Sequence, residues 1–303
     1  MGDVVMKRFL LLMIGLNCWA VQAWCQPGSR GELVALQDSL AKLGYIMYNE
    51  PSEPDRLDAN FTFVKTLVSA LKIPHSYSFG FDSLNMVSIL TAPDDRFRIF
   101  SWHIQLNDGS YLYYGAIQLN TPDGTLKLYP LLDKTYEIEN PEESVTSADN
   151  WYGAQYYRMI PLGKDYILLG WKGHTPGLTQ KVIDVLQLTD GGARLGKAVF
   201  GSTETQRHTR MIYRYSKQAS MYMDFDSAEH RIVLDHLAPA EVQYEQQYEH
   251  YGPDMTYDAW QLGEGRLEFV SDIPLINPPS PLDDGYNDPK NIKSHPKSGF
   301  AGQ

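Results

Sequence analysis

Three aromatic and branched runs between Arg96 and Leu132 constrain this chain most. The first is Arg96-Phe-Arg-Ile-Phe-Ser-Trp-His-Ile-Gln-Leu106, followed by the turn Asn107-Asp108-Gly109. The second, Ser110-Tyr-Leu-Tyr-Tyr-Gly-Ala-Ile-Gln-Leu119, leads to Thr121-Pro122-Asp123-Gly124 and then to Thr125-Leu-Lys-Leu-Tyr-Pro-Leu-Leu132. Asp-Gly puts residues that tolerate positive φ where a tight hairpin needs them. The runs therefore predict an antiparallel meander, with Trp102, Phe100 and Ile104 on one strand face and Leu112 buried across the turn.

The style continues downstream. Further strands are expected at 84–91, 155–162, 165–172, 181–188, 194–200, 208–215, 220–225, 231–236, 257–262 and 266–270, with Gly163-Lys164, Asp190-Gly191-Gly192 and Gly263-Glu264-Gly265 as turns. With no helical pattern between them, about a dozen strands pair antiparallel. Twenty Tyr, 6 Trp and 11 Phe suit strands. Arg98-Ile-Phe, Arg158-Met-Ile and Arg210-Met-Ile form a loose internal echo at uneven intervals, which fits an irregular propeller and equally fits chance in a β-rich chain. The fold class is mainly β, propeller-like or else a sandwich or half-barrel, with an N-terminal α-helical hairpin.

That hairpin is read from two amphipathic stretches. Residues 29–48 carry Leu33, Leu36, Leu40, Leu43 and Met47 on one stripe, with Ser29 and Glu32 at capping-box spacing. Residues 58–72 place Phe61, Val64, Val68 and Leu71 on one face, and Pro74 ends them. Asn60-Phe61-Thr62 matches a glycosylation sequon, but inside a helix it is read as chance.

The N-terminus sets Lys7-Arg8 before the apolar run 9–16, with Ala20 and Ala23 following, the order of a secretory signal cleaved between Ala23 and Gln26. Trp24 before Cys25 argues against lipidation. Cys18 and Cys25 lie in or beside this segment, so the mature chain has no internal disulfide. The expected organisation is a signal peptide at 1–25, helical hairpin and linker at 26–82, an antiparallel β domain at 83–273, and a Pro-rich mobile tail at 274–303. Localisation follows as exported, periplasmic or at the cell surface and outer membrane. The net charge of −11 becomes −12 once Lys7, Arg8 and Asp3 leave, which opposes phosphate backbones. Nucleic acid is excluded as a partner, and no transmembrane segment is expected in the mature chain.

Motifs of known chemistry are missing. There is no Gly-x-Ser-x-Gly, no Gly-x-Gly-x-x-Gly, no Walker loop, and no metal spacing among the eight histidines. No metal or cofactor is expected. Residues 224–229 vaguely suggest a calcium loop but lack its Gly and distal Glu, so they are read as a hairpin turn. The most unusual stretch is 244–260, which interleaves Tyr251, Tyr257 and Trp260 with Asp254 and Asp258, the aromatic-carboxylate mixture that glycan sites use. It reads as a long connection turned midway by Gly252-Pro253. Trp171 and His174 end an apolar strand at a sheet rim. These seven residues are the candidate ligand site; packing of the rings on the β core is the competing reading.

Three segments, Asp149-Asn-Trp-Tyr-Gly-Ala-Gln-Tyr-Tyr157, Ile232-Val-Leu-Asp-His-Leu-Ala-Pro239 and Tyr251-Gly-Pro-Asp-Met-Thr-Tyr-Asp258, resemble a group of uncharacterised exported β-rich proteins of Bacteroidota. The resemblance implies export and a β-rich fold and brings no activity. The expected function is a non-catalytic module of the cell envelope that binds a partner protein or a glycan. The alternative is a glycan-acting hydrolase using loop carboxylates such as Asp254 and Asp258.

Overall fold

The computed structural model describes residues 27–202 and 205–274; the expected signal peptide and nearly all of the Pro-rich tail lie outside them. Fourteen strands among these residues form three open antiparallel sheets, preceded by two helices. The fold is mainly β with an N-terminal helical pair and no closed barrel.

Helix α1 (Pro27–Asn49) buries Leu33, Leu40 and Met47, with Leu36 and Leu43 at the margin. It begins two residues before Ser29, earlier than the sequence placed its start. Helix α2 (Glu53–Leu71) starts earlier than expected because Ser52 caps it, accepting from the Asp55 amide, and Pro54 stands in its first turn. Its buried face is Ala59, Asn60, Phe63, Leu67, Ala70 and Leu71. The expected face therefore needs correction: Phe61 is 58% exposed, with the Lys65 ammonium over its ring. Two overlapping apolar stripes compete in α2, and the winning one contains a polar residue, Asn60, that hid it from a hydropathy pattern.

The first sheet is the predicted meander, β1 (Ser88–Thr91), β2 (Phe97–Gln105), β3 (Tyr111–Leu119) and β4 (Leu128–Leu132), paired in chain order. Gly109 and Gly124 take the positive φ of 85° and 71° that their turns require. Trp102 is buried as expected, but Leu112 is only half-buried, at the sheet end beside the 107–109 turn.

The second sheet runs β5 (Thr146–Ser147), β9 (Gly192–Leu195), β8 (Leu178–Thr189), β7 (Asp165–Gly173), β6 (Gln155–Leu162). The free half of β8, Leu178 to Ile183, pairs with β10 (Met211–Ser216). The strand expected at 194–200 ends at Leu195, where Gly196 turns the chain at φ 95°; Phe200 makes a single bridge to Leu267. The third sheet is β11 (Met223–Asp226), β12 (Arg231–Pro239), β13 (Tyr251–Leu262) and β14 (Leu267–Val270), again in chain order. The hairpin turn predicted at 224–229 is formed by 227–230, since Asp224 to Asp226 belong to β11; Asp226 accepts from the amides of Ala228 and Glu229. The arginine echo has no structural counterpart. Arg98 lies on the second strand of the first sheet, Arg158 on an edge strand of the second, and Arg210 just before β10.

The sheets stack in series. Phe100, Trp102 and Ile104 face the helices, while Phe97 and Ile99 face the second sheet. In that sheet Tyr166 and Leu168 face back, and Ile167, Leu169, Ile183 and Val185 face the third sheet across Ile232, Leu234, Trp260 and Leu267. The central strands are thus covered on both sides, and β2 and β7 are buried along nearly their whole length. No described helix is long and apolar enough to cross a membrane.

Candidate functional site

Strands β12 and β13 continue past the third sheet as a two-stranded arm. Tyr251, Gly252 and Pro253 pair with Pro239, Ala238 and Leu237. This corrects the expectation of a long 244–260 connection turned by Gly252-Pro253. Those residues are strand, because β12 runs on to Pro239 and offers them an edge; the connection is only 240–250. The turn-like feature is a bulge instead, Asp254 to Thr256 standing opposite the single residue His236. Pro253, which has no amide hydrogen to give, sits beside that break in the ladder.

Aromatic contacts shape the connection. Tyr244 stacks on His250 at 4.1 Å, and Tyr248 meets Tyr251 at 5.0 Å. The Tyr251 hydroxyl accepts the Gln246 amide at 3.0 Å, where Gln246 is held at φ 66°. The arm is flanked by two clefts that share Tyr251. The larger, about 710 Å³, is lined by Ser216, Gln218, Glu249, His250, Tyr251 and Asp254. The smaller, about 380 Å³, is lined by His236, Leu237, Val242, Glu245 and Tyr251.

The bulge is organised by carboxylates. Asp254 Oδ1 accepts the Thr256 amide at 3.0 Å and its hydroxyl at 2.7 Å, closing a turn that holds Met255 at φ 74° and 91% exposed. Slight burial pushes the Asp254 carboxyl up, but the Thr256 bonds and the nearby His236 outweigh it and bring its pKa below the usual value. Asp258 is buried; its Oδ1 accepts the Asp272 amide at 3.1 Å and its Oδ2 lies 2.8 Å from His236 Nδ1. Because a carboxylate can only accept from that nitrogen, Nδ1 is the donor of this half-exposed imidazole, and His236 lines the smaller cleft.

The seven candidate residues fall into three groups. Tyr251 and Asp254 line the larger cleft of the arm, while Asp258 lines neither cleft and is buried against His236 and the Asp272 amide. Tyr257 packs with Val233, Ala259 and Ile273, and Trp260 is core, 1% exposed, donating its indole N–H to the Tyr213 hydroxyl at 2.6 Å between the rings of Phe200 and Phe269. Trp171 meets His103 and Tyr111 of the first sheet at 5.0 and 5.5 Å. His174 stacks on Tyr136 at 5.9 Å; burial, and then the charges of Lys172 and Arg214, lower its pKa. Arg214 also lies 5.8 Å from the Tyr248 ring, linking that region to the foot of the arm.

His236, Glu249, Gln218 and Ser216 are the arm and cleft residues that sequence reasoning missed. Ser216 ends β10 and Gln218 follows it, and only the fold brings them to β13. The His236–Asp258 pair follows a register that the bulge breaks, so no fixed spacing announces it. Among the described residues, no group of three or more His, Cys, Asp or Glu is arranged to hold a metal ion. Comparison with protein-family models, curated proteins and solved structures finds no match to this chain.

Proposed function

We propose that the chain is a non-catalytic binding module of the cell envelope, and that the cleft beside the β12–β13 arm receives a glycan. The observation that carries this reading is the convergence of Tyr251, Asp254, Glu249, Gln218 and Ser216 on one cleft of about 710 Å³. Aromatic surface with carboxylate, amide and hydroxyl groups around it is the chemistry that holds sugar rings and their hydroxyls. The carboxylates favour binding over hydrolysis. Two-carboxylate cleavage needs a pair about 5–10 Å apart facing the bond. Here Asp254 is turned into Thr256, and Asp258 is buried against His236 and the Asp272 amide. The envelope assignment rests on the signal-like order of residues 1–25, and N-terminal sequencing of the exported protein tests it.

The glycan reading is tested by array screening followed by calorimetry. Gln218 and Glu249 are exposed, so the paired change Gln218→Ala with Glu249→Ala leaves the fold intact. We expect binding to weaken at least tenfold with an unchanged melting temperature. Unaltered binding in the folded variant refutes the site. Tyr251→Ala with Asp254→Ala is less decisive, because Tyr251 also packs against the core between the second and third sheets. Capture of an envelope protein with no glycan bound would move the reading to a protein partner.

A further inference from the structure

A third cleft, of about 630 Å³, opens between the 75–82 segment, strands β2 and β3, and the 120–125 turn. Arg98 lines it and is only 2% exposed. Among the described residues no carboxylate stands within ion-pair distance of this guanidinium. Its Nε donates to Gln118 Oε1 at 2.8 Å, and its two terminal nitrogens donate to the carbonyls of Phe79 and Ser76 at 2.5 and 3.0 Å. The rings of Tyr77, Phe81 and Phe100 surround it at 5.4, 5.2 and 4.9 Å. Guanidinium has five N–H donors, so three acceptors leave two over. Every partner is a dipole or a π face, and none carries a full negative charge. Burying a charge in that condition is costly, and burial pulls the Arg98 pKa down to about 10.

The cleft wall is built around this cation. Gly124 sits at φ 71° where any Cβ would meet the His75 ring at 2.3–2.5 Å, so glycine lets that ring close one side. Opposite, the Tyr77 hydroxyl donates to Asp95 Oδ1 at 3.0 Å and Asn120 Nδ2 donates to the Asp95 carbonyl at 2.9 Å. The Asp95 and Asp82 carboxylates thus stand at the exposed part of the cleft, with the cation in its depth.

We infer that this cleft binds a small carboxylic acid that also carries hydrogen-bond donors, its carboxylate reaching Arg98 and its hydroxyl or ammonium groups reaching Asp95 and Asp82. One guanidinium with two donors to spare matches one carboxylate. A phosphate dianion would meet a single cation and the repulsion of two aspartates, so the carboxylate is the favoured oxyanion.

Calorimetric titration of the mature chain with glucuronate, glutamate, inorganic phosphate and glucose tests the inference. Glucuronate and glutamate separate the hydroxyl-bearing from the ammonium-bearing class. Saturable binding of at least one of them is expected, tighter than phosphate, with none for glucose. Arg98→Gln should weaken it at least tenfold. If that variant fails to fold, Thr125→Trp at the exposed rim fills the cleft without touching the core and should have the same effect. The inference is overturned by a flat titration with both acids, by phosphate binding more tightly, or by unchanged acid binding in a folded variant. The Gln218→Ala and Glu249→Ala variant should keep this binding, so failure of the arm reading and failure of this one are distinguishable.

Discussion

Asn60 Oδ1 accepts the indole N–H of Trp102 at 2.8 Å in the middle of the apolar interface between α2 and the first sheet. Phe63 meets the same indole edge-on at 5.3 Å, and Tyr114 stacks on it at 5.8 Å. The helical hairpin is therefore docked by a specific bond as well as by area. The side chain of the apparent sequon is consumed inside the protein.

Trp102→Ala should destabilise the chain by about 3–5 kcal/mol through lost packing and the cavity left behind. Asn60→Leu should cost about 1–3 kcal/mol, because the indole N–H is left buried without an acceptor. Urea unfolding of both variants measures this. A transition midpoint unmoved in either would mean that the hairpin does not dock through this pair.

The Asp184–Arg210 pair is fully buried, with Arg210 Nε 2.9 Å from Asp184 Oδ2. Tyr156 donates its hydroxyl to the same oxygen at 3.1 Å and accepts the Trp151 indole N–H at 2.9 Å. Arg210→Met should cost about 3–5 kcal/mol, since Asp184 would be left as an uncompensated buried charge. Adding Asp184→Leu to that variant should recover part of the loss. A double-mutant cycle reads the coupling, and strictly additive losses would rule it out.

Lys172 is buried in β7 with its ammonium bonded to Thr135 Oγ1 at 2.7 Å and to the Gly153 carbonyl, under the rings of Tyr113 and Tyr152 at 4.4 and 4.5 Å. Burial pulls its pKa from 10.5 to about 7, against the opposing pull of Asp133. Between these values the unfolded chain holds a proton that the folded chain has released, so this group makes stability rise with pH above about 7 and imposes its full penalty below. The slope contributed approaches roughly 1.4 kcal/mol per pH unit. Lys172→Met should flatten the stability profile between pH 7 and 9. Denaturant melts across that range decide it, and identical slopes in the two proteins would contradict a neutralised lysine.

Much of the fold was legible because it depends on local rules. Asp-Gly and Gly-Gly turns set hairpins wherever they fall, and Gln155–Leu162 is the strand its residues predict. Legibility failed where a choice was settled by a distant neighbour. Phe61 and Phe63 both belong to plausible apolar faces of α2, and Trp102, more than thirty residues away, selects the one containing Asn60. Gly252-Pro253 has the composition of a turn, yet it forms strand because the extension of β12 to Pro239 supplies partners.

The same division governs the sites. Aromatic residues and carboxylates in 244–260 marked the arm, and Tyr251 and Asp254 do line its cleft. The sequence by itself determined strand content, turn positions and the presence of a helical pair, since these follow from periodicity and backbone freedom over a few residues. Only the tertiary structure decided that Trp260 is core while Gln218 faces a cleft, and that Arg98 is buried with no counter-charge among the described residues. Burial and charge compensation depend on which sheets stack on which, and that stacking joins residues far apart along the chain.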